Sequence, residues 1–320
     1  MSTCAPRSWV LAACLMACGG AGPARDGLAL RHPELAAVEG HRLADTRPYY
    51  LPAGGRLTLF LCRWPDSAVI PVALPSDADA EERRKLEAAL AAWEGAGLGV
   101  SFERSTGDLD GVGIEIRLRD DMLAYSANTV VDCAVDADGI GPDADPLPAR
   151  VVMASIHLAH ADPRLTGSAL HELGHALGFQ GHPRSSRRIR GQRPRNESVM
   201  ARDTEVVRLA GERVLAGKAF ADPTLAALYA LPSGTVVQRL PLAPEGTDAV
   251  DRMLELGARD GLIGPLLRVG DDEGRVAWLD PASGAAASLR LEGLNQARER
   301  SGSLRIEPSA RARRLLEASD

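Results

Sequence analysis

The segment His171-Glu172-Leu173-Gly174-His175-Ala176-Leu177-Gly178-Phe179-Gln180-Gly181-His182 constrains this chain more than any other stretch of it. Residues four apart lie one above the other on a helix, so His171 and His175 can turn their imidazoles toward a single ion. Glu172 stands three residues before His175, which leaves its carboxylate beside that ion, able to take a proton from a metal-bound water. Leu170, Leu173 and Leu177 fall at i, i+3 and i+7 and give the same helix a buried stripe. Gly178 can adopt the left-handed conformation that ends a helix and turns the chain back, and His182 follows as a third imidazole. Three protein ligands with one position left to water is the arrangement of a catalytic zinc rather than of a closed structural one. Such an ion brings the pKa of its water toward about 7, which makes hydroxide available near neutral pH. The competing explanation is a packed core helix, but a core has no need of two imidazoles and a carboxylate on one face.

With its glycine and third histidine the segment resembles the metzincin metallopeptidases, whose extended motif HExxHxxGxxH is followed by a methionine turn. Asn196-Glu197-Ser198-Val199-Met200 resembles that turn. Arg63-Trp64-Pro65 and the apolar run after it resemble the opening of a matrixin catalytic domain. Leu225-Ala226-Ala227-Leu228-Tyr229, with Pro232 and Gly234, resembles its closing helix, so the likeness spans residues 57–234. The resemblance implies an α+β, zincin-like domain: a twisted mixed sheet with an edge strand over the cleft, a zinc helix and a Met-turn. It further implies a zinc-dependent endopeptidase acting on protein or peptide substrates. His171, His175 and His182 would hold the ion, Glu172 would act as general base, and Met200 would form a structural floor. The family pattern places the third histidine where this chain has Gly181, so His182 comes one residue late. A kink at Gly181 is expected to absorb the insertion. Glu197, at a spacing from His175 that resembles the gluzincins, and Asp203 are the other candidates for third ligand. If the insertion has weakened the site, the chain is a metzincin-shaped binding lipoprotein without peptidase activity.

A chain of 320 residues has room for about two domains. Its net charge of −6 argues against nucleic acid as the default partner. Arg7 followed by the apolar run Trp9–Ala17 reads as a signal peptide over residues 1–18. Leu15-Met16-Ala17-Cys18-Gly19-Gly20 resembles a bacterial lipobox with Cys18 as the lipidated residue. Leu11-Ala12-Ala13-Cys14 fits the same pattern but leaves a cramped apolar core, and an ordinary cleaved signal is the alternative to both. The expectation is an exported cell-envelope lipoprotein, on the outer membrane or cell surface, held to the membrane by its N-terminal lipid, or otherwise secreted. Cys62 and Cys133 then remain, an even count in an oxidising compartment, and a disulfide between them is expected.

Residues 19–56 lack steady periodicity and read as a tether. Val69–Leu74 is a strand candidate in which Pro71 favours a strand end or a sheet edge. Ser76 can cap a helix running to Trp93, with Gly95 and Gly97 stopping it. Strands are expected at Val100–Glu103, at Val112–Leu118 and at Val151–Ala159, the last two alternating apolar and polar. The resemblance makes Val151–Ala159, just before the zinc helix, the sheet edge over the cleft, where a substrate can pair by backbone hydrogen bonds. Residues 235–320 read as a small C-terminal α+β region or as appended strands, with apolar runs at Leu262–Val269 and Val276–Leu279.

Asp132, Asp136, Asp138, Asp143 and Asp145 crowd what reads as one loop, a carboxylate set that suits Ca2+, although a solvated acidic loop is the commoner explanation. His157 and His160 lack a partner motif for a structural zinc. Arg184, Arg187, Arg188, Arg190, Arg193 and Arg195 follow His182 without an intervening acid. They suggest a preference for acidic groups beside the scissile bond, with a solvated arginine loop as the simpler account.

Overall fold

In the computed structural model the described residues are 48–53, 55–105, 109, 111–123, 126–136, 143–182, 198–201 and 204–241, with strand segments at 263–268, 275–279, 286–292 and 305–308. The fold is mixed α+β. Strands β1 (Tyr49–Ala53), β2 (Arg56–Phe60) and β8 (Val236–Pro241) make an antiparallel sheet in the order β1-β2-β8. The larger sheet contains β3 (Val69–Ala73), β4 (Ser101–Ser105), β5 (Gly113–Arg119), β6 (Ala127–Val135), β7 (Ala149–Ala159) and, after β8, β9 (Ile263–Arg268), β10 (Arg275–Leu279), β11 (Ala286–Glu292) and β12 (Arg305–Pro308). Its order is β12-β11-β10-β9-β6-β7-β5-β3-β4. Strands β3, β4, β5 and β7 run parallel, and β6 turns antiparallel against β7. The alternation that marks β5 puts Ile114, Ile116 and Leu118 in the core, while Arg117 and Arg119 face out.

Helices α1 (Ala80–Glu94), α2 (Leu165–Ala176), α3 (Thr204–Leu215) and α4 (Pro223–Tyr229) surround the apolar centre. The face of α1 that carries Leu86, Ala89, Leu90 and Trp93 is fully buried, and the Trp93 indole N–H donates to Leu170 O of α2 at 3.0 Å. That bond settles the polar end of a large buried ring and fixes α2 against α1. Among the described residues no helix is long and apolar enough to cross a membrane. Cys62, just after β2, is disulfide-bonded to Cys133 of β6, which ties the small sheet to the large one.

Several expectations are corrected. Val151–Ala159 is not an edge: β7 lies between β5 and β6. The strand nearer the helical site is β6, which the sequence reading leaves inside a loop because Asn128, Thr129 and Asp132 break its alternation. Pro71 sits in the middle of an interior strand. Its carbonyl lies toward β5, against Gly113, and the pairing of β3 with β5 begins one residue on, at Val72. The first helix starts at Asp79, not Ser76, since Asp79 and Glu82 form a reciprocal capping box with bonds of 2.7 and 3.0 Å. Tyr49–Ala53 of the expected tether is strand β1. Beyond residue 234, β8 closes the small sheet and β9 adds to β6 at Asp132 and Cys133; the described residues there are strands without helix. Cys18 and the rest of residues 1–47 lie outside the described residues.

Helices α2 and α3 cross at glycines. A β-carbon on Gly167 would stand 2.5 Å from Val207 O, and one on Gly211 would stand 2.6 Å from Gly167 N. Backbone cannot retreat as a flexible side chain can, so Gly211→Ala is expected to cost about 1–3 kcal/mol by overpacking. A urea midpoint equal to the parent's would show that the helices do not approach this closely.

Candidate metal centre

Helix α2 carries the first two histidines, and its C-terminal end is built to place them. The last carbonyls of a helix lack intrahelical partners; here side chains supply donors. Trp64 Nε1 donates to Ala176 O at 2.9 Å, the Tyr229 hydroxyl to Leu177 O at 3.0 Å and Gln180 Nε2 to His175 O at 2.9 Å. Gly178 then takes φ +114°, and a β-carbon there would lie 2.4 Å from Cys62 O. Only glycine fits both demands. The reversal expected at Gly178 is found there, while Gly181, expected to kink, is buried and is not among the glycines of positive φ.

The turn returns Phe179 O to the helix, where it accepts from His175 Nδ1 at 2.6 Å. Val199 O accepts from His171 Nδ1 at 2.7 Å. A carbonyl can only accept, so each of these rings carries its proton on Nδ1 and presents the Nε2 lone pair. His182, despite arriving one residue late, brings Nε2 to 3.2 Å from His171 Nε2, which in turn lies 3.2 Å from His175 Nε2. The ligand atoms of all three lie within 4.8 Å of one another. Tetrahedral zinc with Zn–N near 2.0–2.1 Å requires nitrogens about 3.3–3.4 Å apart, which the two pairs made by His171 match, and three neutral imidazoles are a donor set that suits this ion. Burial pushes the His171 imidazole below its ordinary pKa, and burial with the neighbouring His171 and His182 pushes His175 well below its own. Both rings are therefore neutral at pH 7, as metal ligation requires.

Met200 is fully buried under this centre. Its sulfur occupies the space beside Gly174: a β-carbon there would be 2.1 Å from Sδ and 3.1 Å from Cε. The turn Ser198–Ala201 is held by Asp222, the N-cap of α4, which the sequence reading passed over. Asp222 Oδ2 accepts from the Ser198 hydroxyl at 2.7 Å and from Val199 N at 2.9 Å, while Oδ1 accepts from Thr224 N at 2.9 Å. The same peptide segment that Asp222 grips presents Val199 O to His171. Asp before Pro223 is a legible helix cap, but nothing in the spacing tells that its second oxygen reaches another loop.

Glu172 is buried on the next position of α2, and burial raises its carboxyl to about 7 against the lowering effect of the Thr129 hydroxyl. Thr129 Oγ1 donates to Glu172 Oε2 at 2.6 Å. Glu172 lines a cavity of about 330 Å³ with His171 and His182; Ala127, Arg164, Ser168, Ala201, Thr204 and Val207 form the rest of its wall. Glu197, Asp203 and the six arginines of 184–195 lie outside the described residues. So does Asp138. Of the other aspartates, Asp132 is in β6, Asp143 pairs with Arg56, and Asp145 accepts from Val236 N. Among the described residues the three histidines are the one cluster that could hold a metal, and calcium has no support. His157 is engaged with Asn128 and His160 with Glu82.

No family model matches the chain, and no curated protein matches it. Among solved structures it is similar to high choriolytic enzyme 1, a hatching enzyme zinc-protease from Oryzias latipes (medaka fish), at 21% identity and a TM-score of 0.25. The match covers 38% of this chain and 50% of that one, so the chain spans half the length of that structure.

Because Asp222 fixes the peptide that orients His171, Asp222→Ala is expected to weaken zinc binding about 10- to 100-fold, as loss of an outer partner does. Competition with a chromophoric chelator, well below the melting temperature of the variant, measures this. Unchanged affinity would mean that His171 is oriented without help from the turn.

Proposed function

We propose that this chain is a zinc-dependent endopeptidase. The observation that carries the reading is the convergence of the His171, His175 and His182 imidazoles, with His171 and His182 lining the same cavity as Glu172. Zinc held by the three imidazoles would supply Lewis acidity, lowering the pKa of a water and steadying negative charge on a carbonyl oxygen. Glu172 accepts the proton of the attacking water and then delivers it to the departing amine nitrogen. Met200 takes no part in proton transfer and serves as packing beneath the helix.

A peptide has a place to lie. Among the described residues strand β9 pairs with β6 at Asp132 and Cys133, and residues 127–131 have no strand partner on that side. An extended chain can add there through main-chain hydrogen bonds. That stretch leads to Thr129 and so to Glu172. The substrate class is therefore protein or peptide. Export and lipid attachment at Cys18 are proposed on the sequence of residues 1–18 alone.

The test is Glu172→Gln, which keeps the shape and the ligands but removes the base. The variant is expected to retain one zinc per chain and to lose at least about a hundredfold in hydrolysis of fluorescent casein. Peptidase activity retained in the zinc-loaded variant would refute the assignment.

A further inference from the structure

We propose that Thr129 is a positioning residue for Glu172, one that ties Oε2 so that Oε1 faces the reaction; this rests on the reading of Glu172 as the base. The two residues come from different elements. Thr129 stands opposite Ile156 in the β6–β7 ladder, and Glu172 rides on α2. The hydroxyl has one proton and two acceptors within reach, Oε2 at 2.6 Å and the Glu172 carbonyl at 3.2 Å. The shorter contact to the carboxylate takes the proton, since charge-assisted bonds are the stronger ones. The side-chain hydrogen bond that Glu172 makes among the described residues falls on Oε2, and Glu172 lines the cavity. One carboxylate oxygen is thus held and the other presented.

The placement couples two parts of the mechanism. Thr129 is the middle residue of 127–131, the stretch of β6 that has no outer strand partner among the described residues. A peptide that pairs along this stretch is aligned by the same strand that fixes the base, so the register of the peptide and the direction of the carboxylate are set together. Without the hydroxyl, Glu172 keeps its place on α2 but regains side-chain rotation, and proton transfer depends on that angle. A valine at this position has nearly the shape of threonine and no donor; a serine keeps the donor and drops a methyl.

The experiment compares Thr129→Val, Thr129→Ser and Glu172→Gln in the zinc-loaded protein. It reads zinc content, kcat and KM on a fluorogenic casein-derived peptide, and the dissociation constant of acetohydroxamate by calorimetry. The last reports on the carboxylate independently of turnover, because a hydroxamate binding the metal shares its proton with that group. Thr129→Val is expected to keep one zinc and a KM within about twofold, while kcat falls about tenfold or more, the effect of one hydrogen bond to a charged group. Acetohydroxamate is expected to bind it several-fold more weakly, and Thr129→Ser to recover most of both. Unchanged kcat and unchanged acetohydroxamate affinity in Thr129→Val would overturn the proposal, and so would a serine variant as impaired as the valine one. If the parent cleaves no casein peptide, the endopeptidase reading fails, and the acetohydroxamate series alone decides: weaker binding to Thr129→Val supports the tie, and equal binding refutes it.

Discussion

Two backbone carbonyls, Val199 O and Phe179 O, take the Nδ1 protons of His171 and His175, and the centre depends on that. With those protons committed outward, both rings must point lone pairs inward, at each other and at His182 Nε2. Neutral nitrogens at such spacing repel unless a cation lies between them. The fold holds them there through contacts made elsewhere: Gly178 returns Phe179 to the helix, and Asp222 clamps the peptide that offers Val199. Ring orientation is thus decided by loops before any metal arrives, which is how outer partners tune a metal site.

Close packing sets the tolerance. Gly174 admits the Met200 sulfur between the two histidine turns, Gly178 passes under Cys62, and Gly167 lets α3 lie on α2. Each is a position where one methyl would displace backbone or a buried side chain. Trp64 and Trp93 add direction to this packing, because each indole N–H grips a carbonyl of the zinc-candidate helix. The disulfide between Cys62 and Cys133 joins the strand that carries Thr129 to the segment packed beneath Gly178. A loop of this size would add about 4 kcal/mol by restricting the unfolded chain.

How much of this could be read beforehand follows from which interactions are local. The spacing of His171, Glu172 and His175 is a helical fact, so their common face was legible. So was the pairing of apolar Leu170 and Leu173 with the core, since period and burial go together. His182 was legible as a third imidazole beyond a turn at Gly178, but its distance from the other two depends on how that turn closes. The core strands with clean alternation, such as Gly113–Arg119, showed themselves. Ala127–Val135 did not: its polar residues serve the site and the neighbouring strands, so its pattern is that of no single buried face. Thr129 and Asp222 act across 43 and 24 residues of chain, and contacts of that span leave no periodic trace. Asp79 prevailed over Ser76 as a cap because Glu82 reciprocates its bond, a pairing visible three residues on.

The central claim is that three imidazoles hold one zinc. It is tested most directly by counting metal in the purified protein and in His182→Ala by mass spectrometry after zinc loading and exhaustive dialysis. The account predicts one zinc per chain in the parent and its loss, or a greatly weakened hold, in the variant. Equal zinc in both would remove His182 from the ligand set, and no zinc in the parent would contradict the metal centre itself.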